Sequence, residues 1–143
     1  KHPEIRVVIA GAQPSSKVLK LKSDRVIVTG WVDDISEYYS KSKVFIAPMQ
    51  IGTGLQNKLL EAMAMKLPCI TSDLANNALG AIHDKNVLIG SAPNDYKNHI
   101  IKLLNDDVLR NGIGEEGYTF VKENFTWEGT TSILENLIIS TDK

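Results

Sequence analysis

Five short apolar runs punctuate the chain, and none of them alternates with polar residues. They are residues 5–10 (IRVVIA), 25–30 (RVIVTG), 43–48 (KVFIAP), 68–72 (PCITS) and 86–90 (NVLIG). Continuous β-branched runs of this length suit strands covered on both faces, as in a parallel sheet. Helix-length stretches separate them. "DDISEYYSKS" starts with Asp33 or Asp34 as a capping residue. "GLQNKLLEAMAMK" is made of good helix formers and predicts a helix that opens near Gly54 or Leu55. "NDYKNHIIKLLNDD" places Tyr96, Ile100, Leu103 and Leu104 at helical spacing. "DVLRNGIGEEGYTFVKEN" carries three glycines and predicts a weaker helix, and "TWEGTTSILENLIIS" predicts a last one, capped by Thr126. Strands alternating with helices predict an α/β fold, a doubly wound parallel sheet of Rossmann-like type with right-handed crossovers. Ligands of such sheets sit beyond the carboxyl ends of the strands. Those ends are "AGAQPSS", "TGWVDD", "PMQIGTG", "SDLANN" and "GSAPND".

The third of these ends holds the richest chemistry. Gly52 and Gly54 allow close backbone approach, Thr53 adds a hydroxyl, and the following helix start supplies amides and a positive dipole end. Phosphate is the usual guest of such a turn, although the glycines would also serve a plain tight turn. Along the helix, Leu55, Leu59, Ala62 and Met63 share one apolar side, extended by Leu60 and Ala64. Asn57, Lys58 and Glu61 fall on the other side. A carboxylate at Glu61 can accept two hydrogen bonds from a ribose diol, or can be a solvated surface charge.

Composition narrows the partners. The chain has 143 residues, enough for one domain with a core, and a formal net charge of -1. That balance offers no strong field for nucleic acid or a membrane surface. No apolar run approaches about 20 residues, so no membrane span is predicted. Cys69 is the single cysteine, excludes an intrachain disulfide, and reads as a buried thiol. His2, His83 and His99 show no paired spacing for metal or acid–base work, and His99 reads as structural or surface. A cytoplasmic location fits these features. A dinucleotide-binding reading competes for the glycine turn. "GTGLQN" nearly matches G-x-G-x-x-G, and Asp73 follows about 20 residues on. Asn57 replaces the third glycine, the turn is lengthened, and the unit lies mid-chain.

The block "LLEAMAMKLPCITSD" resembles the signature of retaining glycosyltransferases of the GT-B fold, in the large group 1 family that uses nucleotide sugars. "VFIAP", "GTG", "LLEAMAM" and "LPCITS" stand in the family's order. "RVIVTGWVDDISEYYSKSKVFIAP" and "LLNDDVLRNGIGEEGYTFVKENFTW" resemble the flanking segments, so the likeness spans nearly the whole chain.

The resemblance implies the C-terminal, donor-binding half of a GT-B enzyme. Residues 1–143 would form a single nucleotide-sugar-binding domain, a fragment without the family's first strand–helix unit and without its N-terminal acceptor domain. That first unit usually carries an Arg/Lys pair for the diphosphate. Its strand normally lies between "IRVVIA" and "KVFIAP", so these two strands are expected to pair directly or to have the slot filled. The resemblance gives Glu61 the ribose, and gives Gly52, Thr53, Gly54 and Leu55 the diphosphate through backbone amides. It gives Trp31 and Val32 the base, with Trp31 either stacking or packing on a helix, and Gly11 a place near the cleft. The family's first glutamate, a sugar contact, would fall at Thr53 and is absent. Lys66 replaces a common glycine, which suggests a different helix cap.

The implied reaction transfers a sugar from a nucleotide diphosphate sugar to an acceptor hydroxyl, with retention, in polysaccharide or glycoconjugate synthesis. No metal or cofactor is expected. The acceptor, a glycan or glycolipid, would be held by the N-terminal domain. Peripheral membrane attachment of a full-length protein is a further option. No catalytic residue can be named, and the chain alone is not expected to turn over. A non-catalytic binding module and a GT-B nucleotide-sugar epimerase remain as alternatives.

Overall fold

A computed structural model describes residues 4–52 and 54–126. The chain folds as two compact units, residues Lys1–Lys41 and Ser42–Lys143. The helix expected from Thr126 onward lies outside the described residues, as does His2.

The first unit is β1 (Val7–Ala10), α1 (Ser16–Leu19), β2 (Val26–Gly30) and α2 (Ser36–Lys41). The two strands are parallel, with Val7 opposite Val26 and Ile9 opposite Val28. The Gly11 amide donates to the Gly30 carbonyl at 3.1 Å and carries the ladder past the strand end. Ser15 caps α1 by accepting from the Val18 amide. Of the two aspartates expected before α2, Asp34 does the work: its Oδ1 accepts from the Ser36 amide at 2.8 Å. Hydrogen bonds from Ser36 hold that carboxyl below its ordinary value.

The second unit is β3 (Phe45–Ala47), α3 (Asn57–Ala64), β4 (Cys69–Thr71), α4 (Asp73–Leu79), β5 (Leu88–Ile89), α5 (Pro93–Asn105) and α6 (Asp107–Asn124). Its strands are all parallel, in the order β3-β4-β5. Every residue of the central strand is buried, which explains why its sequence does not alternate. The core joins Ile70, Leu88, Leu103 and Ile113, with Val44, Tyr96, Ile100 and Leu109 packed against it. Burial pushes the Cys69 thiol well up and keeps it inert. At the end strand, both backbone groups of Ile89 are taken by imidazoles. Its N–H donates to His83 Nδ1 and its carbonyl accepts from His99 Nε2, each at 2.9 Å. His99 is therefore structural.

Four expectations change. First, the hydrogen-bonded ladders of the described residues form two sheets, β1-β2 and β3-β4-β5, rather than one. Second, α3 begins at Asn57, not at Gly54 or Leu55. Gly52 and Gly54 have left-handed φ of 122° and 88°, which cannot continue into a helix. Leu59, Ala62 and Met63 are buried as predicted, but Leu55, outside the helix, is exposed. Third, Lys66 does not change the cap. It adopts φ 58°, the conformation a glycine would take there. Its ammonium pairs with Glu115 at 2.9 Å and lies 5.1 Å from the Tyr118 ring centroid.

Fourth, the glycine-bearing α6 is the longest described helix. Two of its three glycines are contact points. A Cβ on Gly114 would overlap the Lys66 carbonyl oxygen, and one on Gly117 would lie 3.0 Å from the Asn86 carbonyl oxygen. Missing side chains let α6 press against backbone, and this packing outweighs the poor helix propensity of glycine.

Candidate functional site

The connection from β3 to α3 is built by conformation rather than crowding. A Cβ on Gly54 would meet nothing within 4 Å, and one on Gly52 only ordinary contacts at 3.7 Å. What these positions require is positive φ, which glycine adopts without strain. The Gln56 amide side chain ties the turn by donating to the Gly54 carbonyl at 3.2 Å. Gln56 stands at the N-cap of α3 but makes no capping hydrogen bond with its side chain, and the first turn holds no acidic residue. Neither a Gln56 cap nor a first-turn carboxylate therefore offsets the positive end of α3.

The neighbouring helices are different. Ser72 caps α4 through the Ala75 amide at 3.3 Å, with Asp73 in the first turn. Asp95 caps α5 by accepting from the Ser91 amide at 3.0 Å and the Ala92 amide at 2.8 Å. Those two bonds hold its carboxyl below the ordinary aspartate value.

Glu61 lies exposed on α3 beside the exposed Asn57 and Lys58, opposite the buried Leu59, Ala62 and Met63. The sequence-derived division of this helix therefore holds from Asn57 to Met63, with Leu60 half-buried, and fails at Ala64, which is exposed. Thr53 lies outside the described residues. In the first unit, Gly11 follows β1 and Val32 is half-buried. The Trp31 ring is 76% exposed, with its Nε1–H directed to Asp33 Oδ1 at 3.4 Å. The packed alternative for this indole is not realised.

An open groove of about 480 Å³ lies beyond the carboxyl ends of β3, β4 and β5. Pro48, Met49 and Gln50 line it after β3, Ser72, Asp73 and Leu74 after β4, and Gly90, Ser91 and Ala92 after β5. Ile46, Pro93 and Tyr96 complete the wall. Ser91 Oγ donates to Asp73 Oδ2 at 2.6 Å. The sequence marks these strand ends as a crevice but singles out none of these side chains beyond Asp73. The Asp73–Ser91 pair spans two loops, and no local spacing reveals it. Nor does the geometry favour a dinucleotide fingerprint, because residues 48–56 replace the tight turn between β3 and α3. Among the described residues no group of three or more His, Cys, Asp or Glu side chains is placed to hold a metal ion. No described helix is long and apolar enough to cross a membrane.

Residues 1–106 match the family of glycosyl transferases group 1. The chain belongs to this family. That match includes the glycine turn, α3 and the groove. Among proteins similar to this group 1 chain is an uncharacterized glycosyltransferase of Methanocaldococcus jannaschii, 28% identical over 90% of this chain and 35% of the relative. The capsular polysaccharide biosynthesis glycosyltransferase CapM of Staphylococcus aureus is 28% identical over 82% of this chain and 32% of its own length. The chain spans about a third of the length of these relatives. Among solved structures, Anabaena HepE in complex with UDP superposes with a TM-score of 0.82, at 16% identity, over 94% of this chain and 41% of that one. Sucrose-phosphate synthase from Thermosynechococcus elongatus gives 0.74 at 22% identity, over 97% and 40%. The α/β architecture with parallel sheets is that of the C-terminal domains of GT-B glycosyltransferases.

Proposed function

We propose that this chain supplies the donor half of a retaining glycosyltransferase that moves a sugar from a nucleotide diphosphate to an acceptor hydroxyl. The observation that carries the reading is the α3 start within the family match: two left-handed glycines, no side-chain cap, no acidic residue, and Glu61 further along the exposed face. As the glycosidic bond breaks, negative charge builds on the departing phosphate. Backbone amides and the helix dipole stabilise that charge where it develops. Glu61 accepts hydrogen bonds from the ribose diol and fixes the nucleoside. The same charge-stabilising groups let the reaction run without a resident metal. Retention and the acceptor, a glycan or glycolipid, belong to the proposal. The capsular polysaccharide role in the name of the Staphylococcus aureus relative supports a place in polysaccharide synthesis.

The test is calorimetric titration with UDP, GDP, ADP and NAD, in EDTA, against wild type and Glu61→Ala. One nucleoside diphosphate is expected to bind, and the variant to lose about 1.5–3 kcal/mol, roughly ten- to a hundredfold in Kd. Preferred binding of NAD, or an unchanged Kd in the variant, refutes the reading.

A further inference from the structure

The groove beyond β3, β4 and β5 differs in kind from the uncapped start of α3. Both helix ends that border it already carry the chain's own groups: Ser72 caps α4, and at α5 the Asp95 carboxylate in the first turn accepts from the Ser91 and Ala92 amides just before the helix. Partial burial, and then the nearby Asp73 and Asp95 carboxylates, raise the Tyr96 hydroxyl above the ordinary tyrosine value. The Asp73 carboxylate, held in the groove wall by Ser91, disfavours an anion there, while the Tyr96 hydroxyl can donate. The diphosphate therefore has no reason to enter it.

The groove's surfaces suit another guest. Ile46, Pro48, Met49 and Leu74 form apolar wall, and the Tyr96 ring adds an aromatic one. Gly90 makes room for that ring: a Cβ there would sit 3.0 Å from its Cε2. Into this apolar setting projects a fixed polar pair. Asp73 accepts the Ser91 hydroxyl at 2.6 Å, which orients the carboxylate. A carboxylate offers about four acceptor positions, so capacity remains for further hydroxyl donors, and Ser91 Oγ can itself accept. An apolar C–H face beside several hydroxyl groups is the chemistry of a sugar ring. At about 480 Å³ the groove falls within the range of small-molecule sites.

We propose that this groove binds one ring of a neutral carbohydrate, with Asp73 and Ser91 bonding its hydroxyls and Tyr96 facing its C–H side. The choice of a sugar over other polyols rests on the glycosyltransferase reading above. The groove would hold a sugar unit that carries no phosphate, such as an acceptor residue or part of a growing glycan.

The test follows backbone amide signals of the ¹⁵N-labelled chain. The probes are methyl α-D-glucopyranoside, methyl β-D-galactopyranoside and N-acetylglucosamine, each to about 50 mM. Glucose 6-phosphate serves as the charged control. Saturable shifts are expected at Asp73, Leu74, Ser91 and Tyr96 for at least one neutral sugar, with the phosphate at least about tenfold weaker. Asp73→Asn should weaken that binding about tenfold. Ser91→Ala, which leaves the α4 start untouched, should weaken it measurably with an otherwise native spectrum. No saturable shift with any neutral sugar overturns the proposal, as does tighter binding of glucose 6-phosphate or an unchanged affinity in both variants. A nucleoside diphosphate titrated into the same sample reports separately at Gly54 and Glu61. Shifts there with a silent groove sink this proposal alone; a responsive groove without them sinks the donor reading alone.

Discussion

Gly112, Gly114 and Gly117 share one helix, so the same substitution at each separates propensity from packing. Glycine to alanine in a helix interior gains about 0.8–1 kcal/mol of propensity. At Gly112 a Cβ meets nothing within 4 Å and the site is exposed, so that gain is expected in full. At Gly114 the Cβ would overlap the Lys66 carbonyl oxygen. This is backbone, held in a left-handed residue between α3 and β4, and it cannot rotate aside. Relief requires α6 to withdraw by on the order of 1 Å, which forfeits a quarter to a half of each affected dispersion contact. Overpacking of this kind costs about 1–3 kcal/mol. Set against the propensity gain, Gly114→Ala should destabilise by about 2 kcal/mol at the upper end of that range. Gly117→Ala, with its 3.0 Å approach to the Asn86 oxygen, should fall between the two. Urea unfolding followed by far-ultraviolet circular dichroism gives the order directly, and an unchanged slope certifies that the midpoints report stability. If Gly114→Ala unfolds at the wild-type midpoint or later, or if the three variants shift alike, the packing argument is wrong.

Two further outcomes follow from single residues. The Asp95 carboxyl lies below its ordinary value of 3.8 when folded, so the stability it contributes is present above that value and is lost as pH falls through the lower, folded one. Asp95→Asn should flatten the acid limb of a stability–pH curve in that window and leave its neutral limb parallel to wild type; an unaltered acid slope would count against the cap. Trp31→Ala should leave unfolding near wild type because the side chain is exposed, and, if the indole stacks on the base as the family resemblance implies, it should weaken nucleotide binding about tenfold; an equal Kd by calorimetry would reject that role.

The parallel pairing was legible from short, continuously apolar runs, but the covering on both faces that such runs imply holds for β4, whose residues are all buried, and not for β1, where none is. The buried side of α3 was legible from Leu59, Ala62 and Met63, where period alone decides. Its start was not. Good helix formers at Leu55 and Gln56 outvote two glycines in any propensity sum, but the left-handed φ at Gly52 and Gly54 is set by the path of the loop. The strength of α6 was hidden for the opposite reason. Its glycines lower local propensity, and their benefit exists only against Lys66 and Asn86, far away in sequence. The candidate site divides along the same line. Glu61 and the glycines carry a local pattern, whereas Asp73 meets Ser91 only once β4 and β5 lie side by side.

Three helices of the second unit follow three parallel strands, and their N-termini begin at the same strand ends. Left alone, each would attract an anion. The chain neutralises two of them with its own groups, Ser72 with Asp73 in the first turn and Asp95, and leaves α3 without a side-chain cap. Such capping stabilises α4 and α5, and it also settles where negative charge can go. On the proposed reading, a diphosphate would be directed to the α3 start after the glycines, among the described helix ends of this sheet. The other strand ends carry carboxylates, which turn the adjoining groove toward hydroxyl donors. A charge-removal experiment exposes this division. Asp95→Asn would keep a side-chain oxygen for the Ser91 and Ala92 amides while removing one negative charge from beside the groove. If the carboxylates exclude anions from it, glucose 6-phosphate should then gain affinity at Ser91 and Tyr96 relative to the neutral sugars. An unchanged ratio between charged and neutral probes would mean that shape, not charge, distinguishes the groove from the glycine turn.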